Sequence, residues 1–360
     1  MVRKKGFTIR RFLKGIIFLI NILAIIALLA SYSSTFISPV KIWALAFLGL
    51  VYPYILIVNI LFCLFWLLFK PKFALFSLIT ILLGFGHLGN YFQAKPRKTS
   101  ASGLVVCSYN IKHFQQKPKE RIETAIRIQD YLQSKNADIV CIQEMVSPPV
   151  KPFSPFPTDS TGRAPVFHTT HKGDAGPAVY SRYPIIDTGK IKFENSNNMI
   201  VFADLKIDGD TIRIYSCHLQ SYFISEDEIN YLDTVSIRGD RDQNIKQFRQ
   251  IGSKIKQAFI KRASHSGQLR DHIVQSPYPV IVCGDFNDTP VSYTYRMITS
   301  LLNDAFKESG KGAGSTYEGK LPPFRIDYIF HSNSFNAYNF QVDKVNYSDH
   351  YPVSCLLIRR

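Results

Sequence analysis

Val280-Ile281-Val282-Cys283-Gly284-Asp285-Phe286-Asn287 is an apolar run closed by a glycine, a carboxylate and an amide. A short unbroken apolar run of this kind reads as a strand covered on both faces, with its polar groups at the end. The same pattern recurs along the chain. Residues 104–109 run into Asn110 within Ser108-Tyr109-Asn110-Ile111, and residues 138–143 deliver Ile142-Gln143-Glu144. Residues 211–216 lead to Ser216-Cys217-His218-Leu219. Arg325-Ile326-Asp327-Tyr328 opens a strand over 325–330, and Ser348-Asp349-His350 precedes one over 352–358. Two more strands fall at 178–181 and 199–207, the second joined to 211–216 through an Asp208-Gly209-Asp210 hairpin turn. Apolar residues at 122, 125, 126, 128, 131 and 132 predict a helix over 120–135, and a longer helical stretch covers about 240–263. Paired strands with helices between some of them predict an α/β fold of two packed sheets, with the motif residues at strand ends converging on one cleft.

The first hundred residues are of another kind. They hold no acidic residue and three long apolar stretches, at 12–31, 40–69 and 73–92. About 20 apolar residues suffice to cross a bilayer, so the reading is three transmembrane helices, the second kinked or tilted at Pro53. Tyr32, Trp43, Trp66, Tyr91 and Phe92 suit the interfacial belts. The domain reading is a membrane anchor over 1–94, a polar linker over 95–103 and a catalytic domain over 104–360. Six basic residues, five before the first stretch and Lys14 at its start, place the N-terminus in the cytoplasm, and three crossings then put the catalytic domain on the outer, periplasmic or extracellular, face. If the second stretch is not a single crossing, the domain is cytoplasmic.

The net charge of +16 does not mark a nucleic-acid binder. Twelve of the 43 basic residues lie in residues 1–100, which leaves 31 basic against 27 acidic residues beyond them. The six cysteines show no metal-ligand spacing and mostly sit in apolar strands, so they read as buried free thiols.

Asparagine, glutamate, aspartate and histidine are the residue types that a metal-assisted attack on a phosphate ester needs. Alone, each motif has a plain structural explanation: Asp285 caps a loop, Asn110 ends a strand, and His218 is a core histidine. Six in this order are hard to obtain by accident. Glu144, just past a buried strand, is the best single ligand for Mg²⁺, a hard cation that takes few protein carboxylates.

These six motifs resemble the endonuclease/exonuclease/phosphatase superfamily over about residues 103–360. The resemblance implies a four-layer α/β sandwich, two mixed β-sheets flanked by helices, and a divalent metal, usually Mg²⁺, with Mn²⁺ as the substitute. It implies that Asn110 supports the metal or a phosphate oxygen, and that Asp285 aligns or deprotonates the attacking water. By the same likeness Asn287 donates to a phosphate oxygen, and His350 acts as a phosphate clamp or acid/base group with its tautomer fixed by Asp327. Asp349 joins the metal site, and His218 contacts phosphate as in the deoxyribonuclease and sphingomyelinase branches. Asp174 is a weak candidate to orient His218, and Arg270 a weak phosphate contact. The basic residues between 246 and 262 read as a solvated helix face.

The sequence therefore predicts a membrane-anchored, divalent-metal-dependent phosphoesterase acting on a phosphodiester or phosphomonoester. Its substrate would be a lipid headgroup or a nucleic acid, and no obligate protein partner is implied. A surface nuclease acting on DNA or RNA and a non-catalytic membrane scaffold on the same fold are the alternatives. Loops at 147–165 and 221–242 belong to this chain alone, and loops of this sort set substrate choice.

Overall fold

The structure, a computed structural model, describes residues 9–115, 120–151, 153–157, 167–169, 176–222, 224, 228, 230–231, 241–319 and 322–360. The chain divides into two compact units, one running to Gly89 with Val291–Tyr293, the other Asn90–Pro290 with Thr294–Arg360.

The first unit is helical: α1 (Ile9–Ser33), α2 (Trp43–Leu50), α3 (Tyr52–Phe69), α4 (Pro71–Leu83) and α5 (Phe85–Tyr91). Two of these, α1 and α3, are long and apolar enough to cross a membrane, and α4 with α5 makes a third such stretch bent by 58°. The second apolar stretch is thus not one helix. It breaks at Val51, and Pro53 sits in the first turn of α3, where its missing N–H leaves no hydrogen bond unmade. Asn21 donates to Ser77 Oγ at 2.8 Å and accepts from Trp66 Nε1 at 3.0 Å, tying α1, α3 and α4 together. Asn59 donates to the Ala24 and Ile55 carbonyls at 3.0 and 2.9 Å, a packing role for this buried polar residue.

The second unit contains strands β1 (Leu104–Asn110), β2 (Ile139–Met145), β3 (Phe167–Thr169), β4 (Gly176–Ser181), β5 (Ile185–Lys192), β6 (Met199–Ile207), β7 (Asp210–His218), β8 (Val280–Asp285), β9 (Asn303–Asp304), β10 (Asp327–His331), β11 (Phe335–Val342) and β12 (Val353–Arg359). They form two six-stranded mixed sheets, ordered β11-β12-β1-β2-β4-β3 and β5-β6-β7-β8-β10-β9. Pairs β1–β2 and β7–β8 are parallel.

Alternate residues sort into different layers. Val106, Ile139, Cys141, Val201, Ile214, Ile281 and Ile329 meet between the sheets. Their neighbours Cys107, Tyr109, Val140 and Ile142 face outward against Ala125, Ile128 and Leu132 of α6 (Arg121–Ser134). On the other side Tyr215, Cys217, Val280 and Val282 pack against Leu269 and Ile273 of α7 (Arg241–Val274). This gives the four-layer sandwich, and it explains why the strands read as continuous apolar runs. The six cysteines are free, and five of them are buried. Asp208 (φ 50°) and Gly209 (φ 90°) form the two-residue turn between β6 and β7, as the hairpin motif predicts.

In the stretch read as a polar linker, Thr99 and Asn339 exchange hydrogen bonds at 2.8 and 3.0 Å, and the Arg97 guanidinium lies 4.8 Å from the Tyr338 ring centre. Two expectations change. The helix expected to end near 263 continues to Val274. Arg262 on that helix is not solvated but fully buried, paired with Asp288 at 3.2 Å and donating to the Gln220 carbonyl at 2.8 Å.

Truncating Ile214, buried between the sheets, to alanine should cost about 2–5 kcal/mol of stability. The same change at exposed Ile186 should stay within about 0.5 kcal/mol. Thermal melts of the full chain in detergent compare the two.

Candidate active site

Strand register in the second sheet builds half of the site. His218 pairs with Asp285 across β7 and β8, and Asp285 pairs with Asp327 across β8 and β10. Three titratable side chains therefore stand in one row. Gly284, with φ at 142°, permits this approach, because a Cβ there would collide with the Cys217 carbonyl.

The first sheet supplies the other half. Asn110 pairs with Gln143 across β1 and β2. Glu144 follows in the left-handed region (φ 54°), where the pairing of β2 with β4 shifts register between Ile142 and Met145. Gln143 is fully buried and pins this irregularity. Its Nε2 donates to Ser216 Oγ of the opposite sheet at 3.1 Å, and its Oε1 accepts from Ser108 Oγ at 3.4 Å.

Asn110 ties the halves together. Its Nδ2 donates to Glu144 Oε1 at 3.1 Å and to Asp285 Oδ2 at 2.9 Å, while its Oδ1 accepts from the Lys112 amide at 3.1 Å. With its nitrogen facing the carboxylates, Asn110 is placed to hold Glu144 and Asp285. The Asn287 amide donates to Asp285 Oδ2 and to the Leu219 carbonyl, both at 3.1 Å.

Asp285 is 1% exposed and also accepts from the Asn287 backbone N–H at 2.8 Å. Burial pushes its carboxyl above the usual range, opposed by the charge of His350 and this backbone donor. His350 Nδ1 lies 2.9 Å from Asp327 Oδ2 and its Nε2 lies 3.7 Å from Asp285 Oδ2. Burial works against charge on His350, but the two carboxylates outweigh it and raise the imidazole above its ordinary range. His218 Nε2 is buried and has no hydrogen-bond partner among the described residues, standing 3.5 Å from Glu144 Oε1 and 4.0 Å from Asp285 Oδ2.

Two neighbours were not picked out as site residues by the sequence. Lys112 Nζ lies 2.9 Å from Asp349 Oδ2, and His113 Nδ1 lies 3.3 Å from Glu144 Oε2. Both lie on a left-handed turn that no glycine announces. Tyr317 sets its ring edge-on to His350, with centroids 5.3 Å apart. Arg270 is exposed and pairs with Asp271. Asp174 lies outside the described residues.

Ligand atoms of Asp285, Asp327 and His350 come within 4.8 Å of one another, near enough for a single ion. Within that cluster His350 has its Nδ1 bonded to Asp327, and Asp285 already accepts from Asn110 and Asn287. Glu144 is a further candidate ligand. Its side chain is 21% exposed, and a hard divalent cation takes one or two carboxylates while keeping most of its waters. Asp349, expected beside it, has its carboxylate paired with Lys112.

A family model described as Endonuclease/Exonuclease/phosphatase family matches residues 107–350, and a model for a domain of unknown function (DUF8431) matches residues 14–91. No curated protein matches the chain in sequence. Among solved structures, zebrafish (D. rerio) TDP2 complexed with a single-strand DNA product is similar at 16% identity and a TM-score of 0.52, over 72% of this chain and 100% of that one. A humanized D. rerio TDP2 matches at 15% identity and a TM-score of 0.51, over the same shares. The Bacteroides thetaiotaomicron mannosyl-6-phosphatase Bt3783 matches at 16% identity and a TM-score of 0.50, over 71% of this chain and 99% of that one.

Replacing Asp327 by asparagine removes the anion bonded to His350, and the imidazole should titrate at least about one unit lower. Nuclear magnetic resonance of ¹⁵N-histidine-labelled protein measures this, and an unmoved His350 titration would refute the pairing.

Proposed function

Because the chain belongs to the endonuclease/exonuclease/phosphatase family, we propose that its second unit hydrolyses a phosphate ester by attack of water, with a divalent cation at Glu144. One observation carries this reading: the row of His218, Asp285 and Asp327, closed by His350. Asp285, raised by burial and oriented by Asn110 and Asn287, takes a proton from the attacking water. His350, kept charged by Asp327, faces the charge that builds on the phosphoryl oxygens. His218, with a ring nitrogen unengaged, serves as a phosphate contact. A cation held by Glu144, Mg²⁺ or Mn²⁺, would supply Lewis-acid polarisation of the phosphoryl group. Asn110 bonds both carboxylates and so keeps Asp285 beside the residue that would hold the cation.

A mannosyl-6-phosphatase and a protein solved with a DNA product share the fold, so the fold itself leaves the ester class open. The first unit acts in this reading as a membrane anchor, with α1, α3 and the α4–α5 pair as three crossings. The basic N-terminal flank then favours the second unit on the outer face, near lipid-borne phosphate esters. Protease added to sealed vesicles of known orientation should cleave the second unit from the outer side only; cleavage from the cytoplasmic side would reverse the topology.

The catalytic reading is tested with the full chain in detergent, assayed with Mg²⁺ and with Mn²⁺ on p-nitrophenyl phosphate, bis(p-nitrophenyl) phosphate, plasmid DNA and phospholipid vesicles. Glu144→Ala, Asp285→Asn and His350→Ala should each lower kcat by at least about 100-fold, and chelation by EDTA should abolish turnover. Folded wild-type protein that turns over none of these substrates would end the proposal in favour of a scaffold.

A further inference from the structure

Three consecutive residues after Ile111 occupy the left-handed region: Lys112 (φ 45°), His113 (φ 55°) and Phe114 (φ 60°). None is glycine. Such a run is unfavourable for L-residues and persists only where the surroundings impose it. Here they do. The Lys112 amide donates to Asn110 Oδ1 at 3.1 Å, Phe114 N donates to the Ile111 carbonyl at 2.9 Å, and Gln115 N donates to the Lys112 carbonyl at 2.8 Å. Phe114 is fully buried and sets its ring edge-on to Phe153 at 5.5 Å.

The turn buries its phenylalanine and sets Lys112 on Asp349, the residue before His350, and His113 on Glu144. Lys112 is 38% exposed with its ammonium 2.9 Å from Asp349, and His113 stays on Glu144. An ordinary rim ion pair contributes little. This one differs in being mounted on an enforced turn whose first backbone N–H is held by Asn110, the residue that also holds Glu144 and Asp285. The Lys112 backbone is therefore held by the residue that orients both carboxylates, while its side chain can still rotate.

We propose that Lys112 binds a further anionic oxygen of the substrate phosphate and biases the site toward phosphate monoesters over diesters. This rests on the phosphoesterase reading above. A monoester carries close to two negative charges at neutral pH and three terminal oxygens, whereas a diester carries one charge and two such oxygens. The second charge of a monoester gains from a further positive group near the site, where a diester gains less. Lysine suits the task as a compact point charge on a flexible stem, able to turn from Asp349 to a phosphate oxygen.

The test measures kcat/KM of the full chain in detergent for p-nitrophenyl phosphate and bis(p-nitrophenyl) phosphate, in wild type, Lys112→Met and Lys112→Arg, with inorganic phosphate as inhibitor. Lys112→Met should lower the monoester-to-diester ratio at least about tenfold and weaken phosphate inhibition in step. Lys112→Arg should restore most of both. A ratio that shifts by less than about twofold in Lys112→Met would overturn the proposal, whether both esters suffer together or neither does. Lys112→Gln gives the same reading should the methionine variant lose its melting transition. Wild type inactive on both esters would instead remove the phosphoesterase reading, and this inference with it.

Discussion

Each sheet of the second unit is covered on both faces, and the rest of its architecture depends on that constraint. A strand buried on two sides has no place for charge along its length. Polar side chains are displaced to the strand ends or must find partners inside. Both solutions occur here. Gln143, Ser216 and Ser108 form a buried hydrogen-bonded bridge between the sheets, and immediately beyond it come Asn110, Glu144, His218 and Asp285 at the strand ends. The site is the place where the apolar sandwich stops.

Charge inside such a site is tolerable only because each group has several partners. Asp285 accepts from three donors and faces His350; His350 sits between two carboxylates. Removing one member would leave another buried and uncompensated, and such groups respond together. Asn110 links the sheets here, since its single amide nitrogen reaches a carboxylate of each.

Much of this was legible in the sequence, for identifiable reasons. Runs such as 280–283 announced buried strands because both faces are covered, and Asp208-Gly209 announced its turn because the backbone there requires positive φ. Strand β11 escaped because Asn336 and Asn339 interrupt its apolar alternation, and β5 because it is a polar edge strand beside β6. Composition marked Arg262 as a solvated cation, while its partner Asp288 stands 26 residues away in sequence. Which atoms an asparagine offers is likewise a matter of tertiary contact, so the bonds from Asn110 and Asn287 to Asp285 could not be read from the motifs. The turn at 112–114 carries no glycine and no motif; only the backbone angles reveal it.

The topology also fixes when the site can exist. Strand β12 lies between β11 and β1, so β1, at the start of the second unit, gains its antiparallel neighbour only when residues 353–359 have been made. His350 and its partner Asp327 enter with the same late segment. Pairing over some 250 residues is slow to form and leaves the β1 edge exposed meanwhile. A nascent chain therefore carries Asn110 and Glu144 without Asp285 until residue 285 is added, and without His350 until almost the whole chain is made. The order of assembly of the site is built into strand order.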